Sequence, residues 1–447
     1  MQLSACTHGV WFWSLILGMG LAVVPASWAG TDAPLTSSDP PELRLSLRDA
    51  MEAAVDQNPT IRLFKERIGQ AQDVANTQLG ELLPNLSGRL SGARRRFFTG
   101  SFGGSPTVTG PKDFYEARAT LTQNVFSLSL IQKWRAAKAG VDVASLNAEV
   151  TKRDSMATVG LVYLETLRAM AAVDARKADV TLNEELLRLA TERKAAGMAT
   201  SLDVTRSKVQ LENVRQQLLV AENDRDRAKL NLIRAIGLSF DVSLTLTDEM
   251  SLVAVPDQTI AEALAVAQEH RTELKVQKTR ERLAALTLSS VTSERLPSVQ
   301  ASGDVGMIGN QIPDMLTTDN VQVLMTVPIF DGGAREGRIS ESRSVVRQEA
   351  IKTQDVQYQV SLEVRDAMLT LNSSRQQVAV AEEGLKLALT ELALSRERFA
   401  VGVATNIEVT DAQTRVAQAR DNIIEALFRY NGSRINLARA QGRLEDL

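Results

Sequence analysis

The sequence predicts a mainly α-helical chain with a small β part, built from two copies of one long-helix hairpin. Three observations carry this: an internal duplication, two proline-free stretches too long for ordinary helices, and short runs in which the apolar period falls to two. Residues 197–205 read GMATSLDVT and residues 402–410 read GVATNIEVT, nearly the same nine letters 205 positions apart. Upstream, Glu192-Arg193 aligns with Glu397-Arg398. Downstream, Asn231-Leu232, Arg234-Ala235 and Gly237 align with Asn436-Leu437, Arg439-Ala440 and Gly442 at the same offset. Further towards the N-terminus, Leu83-Pro84-Asn85-Leu86 aligns with Leu296-Pro297-Ser298-Val299, and Asn58-Pro59-Thr60-Ile61 with Arg271-Thr272-Glu273-Leu274, now at an offset of 213. The change of offset places a longer insertion in one copy between residues 86 and 126. A period near 200 residues is a duplicated domain rather than a solenoid.

Taken in order, the first segment is apolar. Val10 to Val24 carries no charge and is followed by Pro25 and then Ser27-Trp28-Ala29. This reads as a signal peptide over residues 1–29, although no Lys or Arg precedes the run, and about 15 apolar residues are short of the ~20 that a spanning helix needs. Cys6, the only cysteine, falls inside it, so the mature chain is expected to lack disulfides, thiolate metal sites and an acylated N-terminal Cys. Residues 30–42 read as a linker, 43–250 as the first repeat and 251–447 as the second.

Each repeat is expected to hold a helix, an irregular section, a very long helix, a Gly-containing break and another long helix. No proline lies between Pro111 and Pro256 or after Pro328, and proline is the residue that breaks helices. Ser340 to Phe399 alone would reach roughly 90 Å as one helix. A rod of that length, with Ala, Val and Leu at spacings of three and four, has to pack laterally in a coiled-coil-like array.

The irregular sections change period. Tyr115, Ala117, Ala119, Leu121 and Val125 alternate with polar residues, as do Val299 to Met307 and Val321 to Ile329. Strands are therefore expected near 86–98, 114–126, 298–308 and 320–330, with surface loops at Thr99 to Pro111 and Gly306 to Asp319. The first of these is the weakest, because Arg94 to Arg96 interrupt it. One apolar and one polar face suit a strand of a water-filled membrane barrel, and they suit a half-buried soluble hairpin equally. Four strands cannot close a membrane barrel. A membrane reading therefore demands an oligomer that pools them.

Composition excludes several functions. The net charge is -3 with signs interspersed, which asks for no nucleic acid. His270, the one histidine beyond the apolar segment, has no clustered partner, and no cysteine or paired constellation supports catalysis, a metal or a cofactor. Gly332-Gly333 lacks the Lys-Ser/Thr of a phosphate loop.

The ordered, duplicated motifs resemble the TolC family of outer membrane channel proteins over roughly residues 43 to 443. They are Asn-Pro-Thr-Ile, Leu-Leu-Pro-Asn-Leu, Val-Pro-Ile-Phe-Asp-Gly-Gly-Ala (327–334) and the doubled Gly-x-Ala-Thr-x-x-Asp/Glu-Val phrase. The resemblance implies a homotrimer in outer membrane lipid. Its four strands per subunit would make a twelve-stranded β-barrel continuing into a periplasmic α-barrel, opened by a periplasmic adaptor (membrane fusion) protein and an inner membrane transporter. The implied function is the exit duct of a tripartite efflux system. A type I protein secretion duct is one alternative, and a periplasmic coiled-coil adaptor or scaffold is another of a different class. A missing lipid-anchor Cys favours the non-acylated branch.

The doubled phrase is the candidate site. Gly197 and Gly402 are expected to end one helix and Thr200 and Thr405 to cap the next, with Asp203 and Glu408 in its first turn. The resemblance further implies that Asp203, Glu408 and Asp411 line the pore constriction as rings of three carboxylates. Such rings attract cations, and their mutual repulsion raises the carboxyl pKa. The elbows, with Arg193, Lys194, Arg398 and Phe399, are the expected adaptor contact. Arg225–Asp226 and Glu397–Arg398 are expected to be solvated or interhelical charge pairs of small worth.

Overall fold

The structure, a computed structural model, describes residues 42–99 and 107–446. The expected signal segment, Cys6 and most of the expected linker lie outside the described residues. In chain order the elements are β1 (Glu42–Leu45), α1 (Leu47–Gln57), α2 (Pro59–Gly80), β2 (Asn85–Thr99), β3 (Thr107–Phe126), α3 (Leu128–Ala195) and α4 (Ser201–Ile236). They continue with β4 (Ser243–Leu246), α5 (Ile260–His270), α6 (Thr272–Thr292), β5 (Ser298–Gly309), β6 (Leu316–Thr326), α7 (Ala334–Ala400) and α8 (Asn406–Gln441). The chain is mainly helical, and the duplication is visible as α1-α2-β2-β3-α3-α4 followed by α5-α6-β5-β6-α7-α8.

α3 has 68 residues and α7 has 67, so each spans about 100 Å. Ser127 caps α3, accepting from the Leu130 amide at 3.4 Å, and Arg193 and Lys194 sit in its last turn, where the helix dipole favours cations. Rods this long gain stability only by lateral packing. The middle of α3 buries Met156, Val159, Tyr163 and Leu167 against α1, β1, β4 and the end of α4. In the second repeat Val360, Val364, Met368 and Leu371 of α7 do the same against α5 and α8. A third apolar cluster, with Leu186, Leu392, Phe399, Val409 and Val416, lies close to the two elbows.

The sequence pairs noted above become one duplicated joint. Asn58 ends α1 and caps α2, accepting from the Thr60 amide at 2.8 Å, while its Nδ2 donates to the Ala235 carbonyl at 2.8 Å. Its counterpart Arg271 stands between α5 and α6 and donates to the Arg439 carbonyl at 3.1 Å. Gly237 and Gly442 terminate α4 and α8 with φ of 96° and 74°. A Cβ on Gly237 would fall 2.5 Å from the Gln57 carbonyl oxygen, and one on Gly442 would fall 2.8 Å from that of His270. Glycine is required at both because the elbow backbone packs directly on the helix end.

β1 and β4 form a short parallel pair beside this joint, which no periodicity in the sequence announced. Tyr163, fully buried, donates to the Leu45 carbonyl at 3.1 Å and to Asp248 at 2.9 Å, holding that strap in place.

The other four strands make an antiparallel sheet of order β2-β3-β5-β6, with β2 and β6 as open edges. Several ends differ from expectation. β6 begins at Leu316 and stops at Thr326, leaving Val327 to Phe330 outside, since Pro328 has no N–H to donate to a ladder. Most of the expected loop at 306–319 is paired strand, for Gly306 faces Thr318 and Ile308 faces Leu316. The expected loop at 99–111 is likewise shortened, because β3 starts at Thr107 and crosses Pro111 at a register irregularity opposite Arg95 and Phe97.

Register separates the two faces. Leu86, Leu90, Tyr115, Ala117, Ala119, Leu121, Val305, Met307, Val321, Val323 and Met325 share one face. Ser87, Arg89, Ser91, Glu116, Arg118, Thr120, Ser302, Asp304, Asn320 and Gln322 share the other. The apolar face has no cover among the described residues: Leu90 is 86% exposed and Val321 83%. On the polar face Arg118 binds Glu116 at 2.7 Å, Thr318 at 3.0 Å and also Asp304, tying β3, β5 and β6 together.

Candidate functional site at the helix elbows

Each long hairpin turns through the same five-residue break. After α3, Gly197 (φ 72°) and Met198 return hydrogen bonds to Lys194 and Arg193 at 3.0 and 2.8 Å. After α7, Gly402 (φ 83°) and Val403 return them to Phe399 and Arg398 at 3.0 and 2.9 Å. The positive φ of both glycines is the αL cap that closes the helix end.

Thr200 then caps α4 and Thr405 caps α8, but the two caps are not equal. Thr200 Oγ1 accepts from the Asp203 amide at 3.2 Å, and Asp203 Oδ2 accepts in return from the Thr200 amide at 2.9 Å and its hydroxyl at 2.7 Å. These bonds, first to the Thr200 hydroxyl and then to its amide, hold the Asp203 carboxyl below the ordinary Asp value. The cap thus acts against the rise in pKa expected for a repelling ring of three subunits. At the second elbow Thr405 accepts only a 3.5 Å bond from the Glu408 amide. Glu408 turns instead to Arg398, 3.6 Å away across the hairpin.

Glu408 and Asp411 line an open cleft of about 570 Å³ between α7 and α8, together with Leu387, Leu394, Arg398 and Arg415. Arg415 is held by Glu391. Asp411 is exposed and makes no hydrogen bond or ion pair among the described residues. The cleft therefore holds Asp411 beside two arginines already engaged by other carboxylates.

Arg193 and Phe399, expected at the adaptor contact, are both more than nine-tenths buried in the single chain. The guanidinium of Arg193 donates to the Phe399 carbonyl and stacks over its ring at 4.3 Å. Asn406 adds a second link, its Nδ2 lying 3.4 Å from both the Asp203 carbonyl and Ser207 Oγ. One elbow is thus docked on the other, and at one of the four positions where the two phrases differ, Ser201 against Asn406, the second copy supplies a docking residue. Gly197, Thr200, Arg398, Gly402 and Thr405 remain exposed.

Sequence reasoning missed the seam above the elbows, where α3 meets α8. Arg168 binds Glu425 at 2.8 Å, Arg176 binds Asp421, and Asp179 receives Arg420 at 2.5 Å and Arg176 at 3.0 Å. Asp179 is buried, and desolvation pushes its carboxyl up from the ordinary Asp value even though Arg420 and Arg176 oppose this. An Asp at a seam position otherwise filled by Leu186, Ala190 and their like was the available signal. His270 ends α5 exposed. Among the described residues no cluster of His, Cys, Asp and Glu could hold a metal.

Helices of about 100 Å joined to a sheet that is apolar on one face and polar on the other define a subunit of a membrane-embedded channel with a long extension in water. The chain belongs to the outer membrane efflux protein family, whose sequence profile matches residues 50–238 and 263–443. It is 22% identical to the outer membrane protein TolC of Escherichia coli over 348 residues, covering 74% of this chain and 70% of that one. It is 25% identical to protein CyaE of Bordetella pertussis over 447 residues, covering 95% and 90%. In fold it is similar to the outer membrane protein VceC of Vibrio cholerae (TM-score 0.74, 17% identity, 89% of this chain and 96% of that chain). The MtrE outer membrane channel of Neisseria gonorrhoeae gives a TM-score of 0.73 at 16% identity, covering 89% of each chain. The chain is accordingly an outer membrane efflux channel protein whose helical part extends into the periplasm. That membership removes the periplasmic adaptor or scaffold carried as an alternative.

Proposed function

We propose that three copies of the chain close into the exit duct of a tripartite efflux system, a passive conduit for substrates delivered by an inner membrane transporter through a periplasmic adaptor. The observation that carries this reading is the open sheet. Four strands leave β2 and β6 unpaired, and an unpaired edge in lipid costs several kcal/mol for each unsatisfied backbone group. Twelve strands from three subunits remove every edge, place the apolar face on lipid and turn the polar face, with Arg118 and Asp304, towards water. The two repeats, proposed at 43–250 and 251–447, supply one strand pair and one long hairpin each.

Asp203, Glu408 and Asp411 are assigned to the periplasmic constriction, where three subunits would give rings of carboxylates. Asp411 is the strongest of the three because nothing among the described residues pairs with it. The exposed elbow residues Gly197, Thr200, Arg398, Gly402 and Thr405 are assigned to the adaptor contact, from which Arg193 and Phe399 are withdrawn. Planar-bilayer recording tests the constriction. Asp411→Asn should lower cation-over-anion selectivity about two- to five-fold with the trimer intact. Glu408→Gln should do less, since its charge is shared with Arg398. Unchanged selectivity in the double variant removes both from the pore. Outer membrane fractions should contain the protein as a heat-resistant trimer; a soluble periplasmic monomer would overturn the duct itself.

A further inference from the structure

The arginine run in β2 has no place in the duct as so far described. Strand alternation puts Arg94 on the apolar face in line with Leu86 and Leu90, opposite Asp113, while Arg95 lies on the polar face opposite Lys112. Arg96 has no partner in the ladder, but between the pairs Arg95–Lys112 and Phe97–Thr109 the extra residue lies on β3, so alternation along β2 carries Arg96 and then Phe98 to the apolar side. Arg94 is only partly neutralised, by Asp113 at 3.6 Å, with 71% of its side chain exposed. Arg95 and Arg96 are exposed and have no hydrogen-bond or ion-pair partner among the described residues.

Height along the strand decides what such residues meet. Asn85 leaves the helical part, and nine steps to Arg94 cover roughly 30 Å of strand. At a tilt of about 40° this is roughly 23 Å of height, close to the ~25 Å of the apolar band of a membrane barrel. Arg94 and Arg96 therefore reach the far edge of the band, where apolar side chains give way to headgroups. A cation within the band would be costly, but at its edge a long side chain extends into the headgroup layer. Phe98 and Val108 sit opposite each other just beyond, both exposed, so the surface around the arginines stays amphipathic rather than opening to bulk water.

The second hairpin differs. Residues 298–326 contain no Lys or Arg, and carry Asp304, Asp314 and Asp319 instead. β5 reaches only to Gly309 opposite Tyr115, so the arginine-bearing part of the β2-β3 hairpin stands beyond it. On the lipid side the basic charge is thus confined to one hairpin of each subunit and to one height, since Arg89 and Arg118 of the same hairpin lie on the polar face.

We propose that Arg94 and Arg96 bind the phosphate groups of lipids in the outer leaflet, giving the trimer three anionic-lipid contacts at its outer rim. This rests on the membrane-barrel reading above. The test uses the full-length trimer in detergent and native mass spectrometry, with a bis-phosphorylated lipid A as probe and the same glycolipid stripped of phosphate as control. The wild type should prefer the phosphorylated lipid by about ten-fold. Arg94→Gln/Arg96→Gln should abolish the preference, whereas Arg95→Gln/Lys112→Gln, on the opposite face, should leave it. Arg96→Gln alone, which spares the Arg94–Asp113 pair, should lose at least half of it and serves if the double variant does not assemble. Persistence of the preference in these variants overturns the proposal, as does displacement of the lipid by millimolar inorganic phosphate. A wild-type trimer that inserts into phosphatidylcholine nanodiscs but shows no phosphate preference overturns this proposal alone. A wild type that fails to insert overturns the barrel reading and the proposal with it.

Discussion

At the residue scale the doubled phrase carries two unequal caps, and the inequality can be measured. Thr200 and Asp203 exchange three hydrogen bonds, whereas Thr405 makes one long bond and Glu408 is diverted to Arg398. Thr200→Ala should therefore cost about 1 kcal/mol locally, speeding amide exchange in the first turn of α4 by about five-fold at pH 7. Thr405→Ala should change the first turn of α8 by less than half as much in the same experiment. The pH dependence has a definite sign. Asp203 has a lowered folded pKa, so its contribution is present above the unfolded value near 3.9 and is lost as pH falls through the folded value. The difference between wild type and Thr200→Ala should accordingly shrink as pH falls from about 4 through the folded value, leaving the part due to the uncharged bond from the Asp203 amide to the Thr200 hydroxyl. Equal exchange in both proteins at pH 7 would show that the cap does not hold the elbow. The phrase made Gly, Thr and the acidic residue legible, because capping is local chemistry. It could not show that Arg193 and Phe399 face each other, since that contact joins residues 206 positions apart.

At the element scale, helices and their breaks follow from proline and glycine placement, and strands from period two. What escaped were features decided by partners. β1 and β4 are four residues each and exist only because they pair side by side over Tyr163. β6 stops before Pro328 because its ladder, not its apolar alternation, sets its end. The α3–α8 seam hid its buried Asp179 because a charged residue in a long helix reads as solvent-facing until its neighbours are known. The elbow joint is legible in retrospect as the doubled Arg-Ala-x-Gly. Gly237→Ala would combine a left-handed φ with a Cβ 2.5 Å from the Gln57 carbonyl. It should destabilise by about 2–3 kcal/mol. Gly384→Ala, in the interior of α7 with open space around its Cβ, should instead stabilise by about 0.5–1 kcal/mol. Thermal unfolding of the two purified variants separates these outcomes. A Gly237→Ala protein that melts with the wild type would mean that the α1-α2 elbow moves away freely.

At the scale of the whole molecule, the described unit has free edges at three levels. Contacts order the lower helices as α4-α3-α8-α7, the upper ones as α2-α3-α6-α7, and the strands as β2-β3-β5-β6. At every level one free edge belongs to the first repeat and the other to the second. Unlike edges meeting head to tail generate a ring when the rotation closes, and the free helix edges carry the apolar residues such a ring would bury. On α7 and its C-cap, Val380, Leu387, Leu394 and Val401 recur every seven residues, each between 56% and 74% exposed. A seven-residue apolar repeat is the seam of a coiled coil, and among the described residues nothing in its own chain covers it. On α4 the exposed Leu202, Val209, Leu219 and Leu230 offer the matching surface. Leu387→Gln/Leu394→Gln should therefore weaken assembly while leaving the subunit's own cores untouched, because neither residue belongs to them. Burial of each leucine contributes about 1.5–3 kcal/mol. Repeated three times around a ring, the loss should lower the dissociation temperature of the detergent-solubilised trimer well before it changes helix content. Leu202→Gln/Val209→Gln should reproduce the effect from the other edge. Combining both pairs should cost less than the sum of the two, since the second change acts on a seam already broken. Strict additivity would mean that the two stripes meet different partners, and the head-to-tail pairing of α7 with α4 would have to be abandoned.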